Sequence, residues 1–456
     1  RSVGPWLTAF AYGTSYFSAV VFVGYAGQFG YKYGLASTWI GIGNALIGSL
    51  LAWVILGRRT RIMSNHLTAA TMPDYFGKRY KSKALRIAAS AIAFIFLIPY
   101  TASVYNGLSR LFGMAFDIPY EVCVIVMAVL TCVYVILGGY MATAINDFIQ
   151  GIVMLVGIVA VIAAVLSGHG GFMEAVRSLA EMESDVAVTM GQKGAFTSFF
   201  GPDPLNLLGV IILTSLGTWG LPQMIHKFYA IKDEKSIQSG TIISTLFAII
   251  VSGGCYFLGG FGRLFDTAAI HKADGSVIYD AIIPEMLSTL PDILVGVVIV
   301  LVLSASMSTL SSLVLTSSST LTLDFLKDNF IKKMSEKKQL LCMRLLLVFF
   351  IVCSVVLALF PPKSIAQFIA QLMGISWGAL AGAFLAPFLY GLYWKGVTRA
   401  AVWASFICGI GITVSNLFLS YIASPINAGA IAMIVSLIVV PIVSLITPKM
   451  NKKEVD

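Results

Sequence analysis

Charge is what this sequence has least of. Asp, Glu, Lys and Arg make up 11% of its 456 residues, less than half the share of about 25% found in soluble domains. A water-soluble enzyme of this length needs far more polar surface, so that class is excluded. Histidine is scarce too: the four (His66, His169, His226, His271) fall in segments read as loops, without metal-ligand spacing. The six cysteines (Cys123, Cys132, Cys255, Cys342, Cys353, Cys408) lie within or at the edges of apolar runs, with no C-x-x-C pair. That placement argues against disulfides and against a thiolate metal site. No H-E-x-x-H, G-x-S-x-G, P-loop or aspartate-rich pyrophosphate motif occurs, which disfavours a membrane enzyme as well. The chain opens on Arg1 and runs at once into an apolar stretch, without the basic start, short apolar core and small-residue cleavage site of a signal peptide.

Hydrophobic length, by contrast, is abundant. Apolar residues are 58% and aromatic residues 12% of the chain, and the mean hydropathy is +0.89. Runs near the roughly 20 residues that cross a bilayer recur almost from end to end. Twelve spans can be drawn, at 5–28, 38–57, 86–112, 119–138, 144–167, 205–224, 238–260, 290–318, 343–360, 364–393, 399–421 and 427–447. An all-α polytopic protein with the lipid bilayer as its surroundings is expected. The net charge of +9 could suggest a nucleic-acid partner, but its placement does not. With both ends cytoplasmic, 23 of the 30 Lys and Arg fall on the inner side, leaving Lys32, Arg110, Arg177, Lys193, Arg263, Lys272 and Lys363 outside. This positive-inside bias fixes the orientation, and no nucleic acid is expected to bind.

Three connectors are long. Segment 168–203 is expected to be an outer loop with a short helix around Met173 to Leu179, and 261–291 another outer loop. Segment 58–85 is inner, and Pro73 within it fits a helix start. Solvated connectors are the expectation for all three. Two spans are interrupted: the first at Tyr12-Gly13-Thr14-Ser15-Tyr16-Phe17-Ser18 and the sixth at Gly217-Thr218-Trp219-Gly220-Leu221-Pro222. Backbone groups freed in lipid must line a protein cavity. Corresponding breaks five spans apart point to an inverted-repeat transporter whose site lies between the halves, although Gly and Pro also serve packing and kinking in membrane helices.

The richest hydroxyl run is Ser304 to Ser312, continuing to Thr320. Ala305, Ser308, Thr309 and Ser312 follow i, i+3, i+4, i+7 spacing and share one helical face. Such a face could offer a desolvated Na⁺ neutral oxygens, together with carbonyls of Thr14 and Phe17 freed in the broken first span. Helix–helix packing is the alternative use of the same hydroxyls. Asp147 lies slightly deeper in a span than the edge residues Glu121 and Asp292. An intramembrane carboxylate costs at least about 2.5 kcal/mol and signals a functional site with a partner, here a cation held with Ser308, Ser311 and Ser312. The other reading places Asp147 at an inner helix edge. Candidate solute contacts are Tyr12, Ser15, Tyr16 and Ser18 at the first break, Tyr100 after Pro99, Thr214, Thr218 and Trp219 at the sixth, and Gln371, Ser376 and Trp377 in the tenth. Aromatics here also serve as core.

At these residues the sequence resembles the sodium:solute symporter family, particularly its proline and pantothenate members, from Arg1-Ser2-Val3-Gly4-Pro5 to about residue 415. The match is specific in the first-span block, Gly138-Gly139 to Gln150, Gly220-Leu221-Pro222, and Ser304 to Ser312. The resemblance implies a LeuT-type bundle of five-plus-five inverted repeats, and an additional leading helix that this chain is expected to lack. Its parts would be 1–167 (spans 1–5), an outer loop with a short helix at 168–204, 205–393 (spans 6–10), and two accessory spans with a cytoplasmic tail at 394–456. It implies Na⁺-coupled import of a small organic solute by alternating access, in a cell (inner) membrane, by a chain expected to be monomeric. Sodium site one would be the carbonyls of Thr14, Phe17 and Ala305 with the hydroxyls of Ser308 and Thr309. Asp147, Ser308, Ser311 and Ser312 match the aspartate and three serines that members such as the sialic acid transporter use for a second sodium ion. Where the proline member has an acidic residue in the first span this chain has Tyr16, and Thr214 and Thr218 replace its sixth-span Trp and Tyr, although Tyr100 agrees. Asn146-Asp147 and the run from Trp219 to Ser239 look more like the pantothenate type. A carboxylate-bearing solute is therefore expected first, an amino acid next and a sugar third; a solute sensor without transport is the alternative class.

Overall fold

In a computed structural model of the chain the described residues are 4–14, 18–327, 329–331, 333–361 and 368–456, with the side chains of 139–144 outside the description. Among them the chain is helical and carries no strand, only isolated bridges such as Glu183 with Lys193. The elements that position the site are α1 (Pro5–Thr14), α2 (Ala26–Tyr33), α3 (Met72–Arg79), α4 (Lys83–Phe116), α5 (Tyr120–Ser167), α6 (Phe172–Ala180), α7 (Pro222–Tyr229) and α8 (Glu234–Gly259). They continue with α9 (Ile282–Ser288), α10 (Asp292–Thr320), α11 (Glu336–Leu359), α12 (Ile369–Tyr393), α13 (Arg399–Leu419) and α14 (Pro425–Ile446).

Ten helices among the described residues are long and apolar enough to cross a membrane, or eleven if Pro204–Gly220 and α7, bent by 46° where they meet, form one span. The twelve drawn spans differ from this count at identifiable places. Residues Val20–Leu67 form one helical run that absorbs the outer part of the first drawn span and all of the second. The chain turns within that run at Gly34, whose φ of +64° suits glycine, and a Cβ there would lie 2.3 Å from the Phe196 carbonyl oxygen. The sixth drawn span is the bent pair. Helix α5 covers the fourth and fifth: Thr131 Oγ1 lies 3.7 Å from Met307 Sδ, and a Cβ at Gly157 would lie 2.9 Å from Leu301. Residues 131 and 157 of a straight helix would be about 39 Å apart, against about 9 Å for 301 and 307. The run therefore doubles back and flanks α10 with both its halves.

Many helices start where the sequence offers a cap. Thr71, Ser82, Asp233, Ser335, Thr398 and Ser424 each accept a backbone N–H of the following turn, and Thr71 and Ser424 do so just before Pro73 and Pro425. The expected short helix at Met173 to Leu179 is α6, and the helix start at Pro73 is α3. Neither α3 nor the α9 part of the 261–291 connector is solvated, however, although stretches such as 266–269 and 273–276 are exposed. Met72, Tyr75 and Phe76 of α3 are buried, and Ile282, Ile283, Met286 and Leu287 of α9 pack into the core. The basic residues of segment 58–85 conceal an apolar stripe at Met72, Tyr75 and Phe76 that docks on α12, where Tyr75 and Phe76 meet Phe388 and Phe384 edge-on or tilted. Two histidines read as loop residues also lie in helices, His66 in Arg58–Leu67 and His226 in α7.

An ionic knot fastens α3 to the helices around it. Thr71 Oγ1 donates to Asp324 Oδ2 at 2.6 Å, and Arg86 Nε donates to Asp324 Oδ1 at 3.0 Å while lying 3.6 Å from Asp74. Arg79, itself buried, donates to the carbonyls of Gly391 and Trp394 at the end of α12. At the opposite end of α12, Asp280 is wholly buried and its Oδ2 accepts the Ile369 N–H at 3.1 Å, capping the helix. Burial pushes the Asp280 carboxyl up to about 6, with the Ile369 N–H and the Arg110 guanidinium opposing the rise. A carboxyl raised in the fold above its unfolded value favours folding at low pH and loses that contribution as pH climbs through about 6. Lowering the pH from 7.5 to 5.5 is therefore expected to raise the thermal midpoint of the purified protein more than that of Asp280→Asn; parallel pH profiles for the two would refute this.

Candidate functional site

The end of α1, the bend of the sixth span and the hydroxyl face of α10 converge on one small cavity. It is lined by Thr14 at the end of α1, Tyr100 of α4, Asp147 of α5, Thr218 before the bend, Gln223, Met224 and Lys227 of α7, Ser308, Thr309, Ser312 and Leu313 of α10, and Trp377 of α12. Its volume is about 20 Å³, enough for one water-sized particle and too small for an organic solute. Tyr100 and Trp377 form its aromatic wall, ring centroids 5.9 Å apart at 85°.

The polar groups here are under-used. Asp147 is 4% exposed, and its Oδ1 has no hydrogen-bond partner among the described residues. Gln223 Oε1 and Trp377 Nε1 are in the same state. Buried polar groups are nearly always satisfied in folded proteins, so a cluster of exceptions around a cavity asks for a ligand. The hydroxyls of α10 divide into two kinds. Thr309 donates to the Ala305 carbonyl at 3.2 Å and Ser311 to the Met307 carbonyl at 2.8 Å, both within their own helix. Ser308 and Ser312 line the cavity and make no hydrogen bond among the described residues. They follow Ala305 at i+3 and i+7, so the helical period presents both, with the Ala305 backbone, toward the first span. Beyond the break, the Ala19 N–H donates to Ser306 Oγ at 3.0 Å, pinning the resumed span to α10.

Of the residues expected at a site, the structure brings together Thr14, Tyr100, Asp147, Thr218, Ser308, Thr309, Ser312 and Trp377. Ser15, Tyr16 and Phe17 lie outside the described residues. The others hold the frame in this conformation. Tyr12 donates to the Gly48 carbonyl at 2.7 Å, Ser18 accepts the Val20 N–H, Thr214 donates to the Val210 carbonyl, and Trp219 donates to the Ile47 carbonyl at 3.0 Å. Gln371 accepts the Phe368 N–H at the start of α12. Ser376 and Ala305 are buried beside the cavity without lining it.

Sequence reading missed Gln223 and Lys227. Lys227 counts as an inner-loop cation if the sixth span ends at 224, yet it is 6% exposed and donates to the Ala11 carbonyl at 2.7 Å. The signal was present in the spacing: after Pro222 a new helix must start, and Gln223 and Lys227 stand one turn apart on it.

Comparison with known proteins bears on the family and the fold. The sequence profile of the sodium:solute symporter family matches residues 1–409. The chain is 29% identical over 466 aligned residues to a sodium/proline symporter of Staphylococcus aureus, covering 99% of this chain and 86% of the relative. Its fold is similar to a Na⁺-coupled sialic acid symporter in a substrate-bound outward-open state, with a TM-score of 0.73 at 15% identity, over 99% of this chain and 91% of that one. It is also similar to Mhp1, a nucleobase-cation-symport-1 family transporter, in a closed conformation with bromovinylhydantoin bound. There the TM-score is 0.54 at 14% identity, over 100% of this chain and 95% of the other.

The split among the hydroxyls gives a direct test. Ser312→Ala removes a cavity-facing oxygen and is expected to raise the Na⁺ concentration for half-maximal stabilisation about fivefold, the worth of one hydrogen-bond-sized contact near 1 kcal/mol. Ser311→Ala removes a hydroxyl that is held by the Met307 carbonyl and must reorient to reach an ion, so it is expected to change it by a smaller factor, about twofold. Equal effects in a Na⁺ titration of thermal stability would refute the division.

Proposed function

The chain belongs to the sodium:solute symporter family and imports solute coupled to Na⁺, and from that premise we propose that the solute is a small carboxylate-bearing molecule, with an amino acid such as proline as the leading candidate. The observation that carries the proposal is the single cavity in which Asp147 and the free hydroxyls of α10 stand beside the Tyr100 and Trp377 wall. In this reading the cation side and the solute side of one site are contiguous, and the solute is taken up in a conformation wider than this one, whose cavity has room for an ion or a water only. The curated relative named for proline supports the amino-acid reading, and the unpartnered Trp377 N–H is a donor suited to a carboxylate.

In this reading the first sodium ion takes the carbonyls of Thr14, Phe17 and Ala305 with the hydroxyls of Ser308 and Thr309, joining the broken first span to α10. The second takes Asp147 with Ser308, Ser311 and Ser312, for which Ser311 turns from the Met307 carbonyl toward the ion. The halves 1–167 and 205–393 act as inverted repeats that rock about this site, with 394–456 accessory to them. Ion binding drives the cycle only if the outward-open and inward-open forms bind Na⁺ unequally, since an ion with equal affinity for both shifts nothing. Each charge crossing 100 mV contributes about 2.3 kcal/mol, so a second ion doubles the electrical drive. The distribution of Lys and Arg supports a cell-membrane protein with both ends of this chain cytoplasmic, and a monomer contains the whole site.

Thermal stabilisation of the purified protein by small carboxylates, amino acids and sugars, each in Na⁺ and in K⁺, tests the substrate class. A shift with a carboxylate or amino acid that needs Na⁺ is expected; a shift with sugars alone would overturn it. Ser308→Ala/Thr309→Ala should raise the Na⁺ concentration for half-maximal uptake about tenfold or more, and an unchanged Na⁺ dependence would remove site one.

A further inference from the structure

Asp147 shares its cavity with one other charged residue among the described ones, Lys227. Both side chains are buried, and each is the charge that acts on the other. Lys227 sits on the second broken span, and its ammonium is held by the Ala11 carbonyl of the first at 2.7 Å. The Asp147 Oδ1 atom has no hydrogen-bond partner among the described residues, so the lysine offsets the carboxylate across the cavity without capping that oxygen. That oxygen is left free to accept an incoming ion.

Two consequences follow from charge alone. An ion-free site holding only Asp147 would bury an uncompensated carboxylate, which is costly in an apolar bundle. With Lys227 in place the ion-free site is neutral. A fixed positive charge beside the carboxylate also repels an arriving cation, since interactions in a poorly hydrated site are screened far less than in water. The lysine therefore makes the empty site tolerable and weakens cation binding there.

Resting on the symport reading above, we propose that Lys227 is the resident counter-cation of Asp147, neutralising it in the ion-free carrier and setting how tightly Na⁺ binds beside it. The ammonium is tethered to the moving first span, so loading the site with Na⁺ changes the balance of charge at the junction of both broken spans.

The test is a Na⁺ titration of the full chain in detergent, read by thermal stabilisation with choline holding ionic strength constant. Lys227→Gln is expected to lower the half-saturating Na⁺ concentration fivefold or more, and Lys227→Arg, which keeps the charge, to stay within twofold of the parent. A tighter site is not what a merely structural lesion produces. An unchanged or weaker Na⁺ dependence in folded Lys227→Gln would overturn the proposal, provided that Asp147→Asn still weakens it. If Asp147→Asn also leaves the titration unchanged, the second sodium site itself fails. Should Lys227→Gln not fold, Asp147→Asn/Lys227→Gln decides: recovery of monodisperse protein in the double variant supports charge compensation, and failure of both overturns it.

Discussion

Everything in this molecule depends on one constraint: inside an apolar bundle, a polar group must find its partner within the protein or hold a ligand. Unbroken helices meet it along their own backbones. At the end of α1 and at the bend before α7, side chains from elsewhere in the chain take part. The Ala11 carbonyl is taken by Lys227 and the Ala19 N–H by Ser306, while Tyr12 and Trp219 donate to the Gly48 and Ile47 carbonyls of the neighbouring segment Asn44–Leu51. Among the polar groups left without a hydrogen bond in the described residues, Asp147, Ser308, Ser312, Gln223 and the Trp377 N–H stand around one cavity, which makes it the candidate site.

The same constraint ties the site to the basic end of the bundle. Helix α10 supplies the cavity hydroxyls, and the turn that follows it supplies Asp324, which Thr71 and Arg86 grip from α3's N-cap and from α4. His226, next to Lys227 on α7, accepts the Met72 N–H at 2.9 Å. Helix α3 therefore touches both elements that shape the cavity, although it was read as part of a solvated loop. The ionic cluster and the candidate site thus share α7 and α10 as neighbours. Asp280 plays a corresponding part at the other end, where a loop carboxylate caps α12, the helix that carries Trp377.

Much of this was legible beforehand because membrane helices obey coarse rules. Span positions came from apolar length, the two breaks from Gly and Pro within apolar runs, and the Ser308/Ser312 face from helical period. Asp147 stood out because a carboxylate in a span is expensive. Other features were not legible because they depend on facing and packing. An all-apolar helix gives no periodic signal for its rotation, so Tyr12, Thr214 and Trp219 looked equivalent to Tyr100 and Trp377, yet the first three bond to backbone and the last two line the cavity. Lys227 was hidden by the positive-inside pattern itself, which assigns cations near a span end to water.

The sequence alone determined that this is a polytopic helical membrane protein with two broken spans, a hydroxyl face and one deep carboxylate, because those properties follow from hydrophobicity and period, which are local. Only the tertiary structure decided which polar groups are left unpartnered, because satisfaction is a property of pairs brought together across the chain. Ser311 and Ser312 are neighbours of identical chemistry; one is consumed by a carbonyl of its own helix and the other faces Asp147's cavity. The burial of Lys227 against a carbonyl 216 residues away is likewise a fact of the fold, since the helix start at Pro222 sets Lys227 one turn from Gln223 but does not say what that face meets.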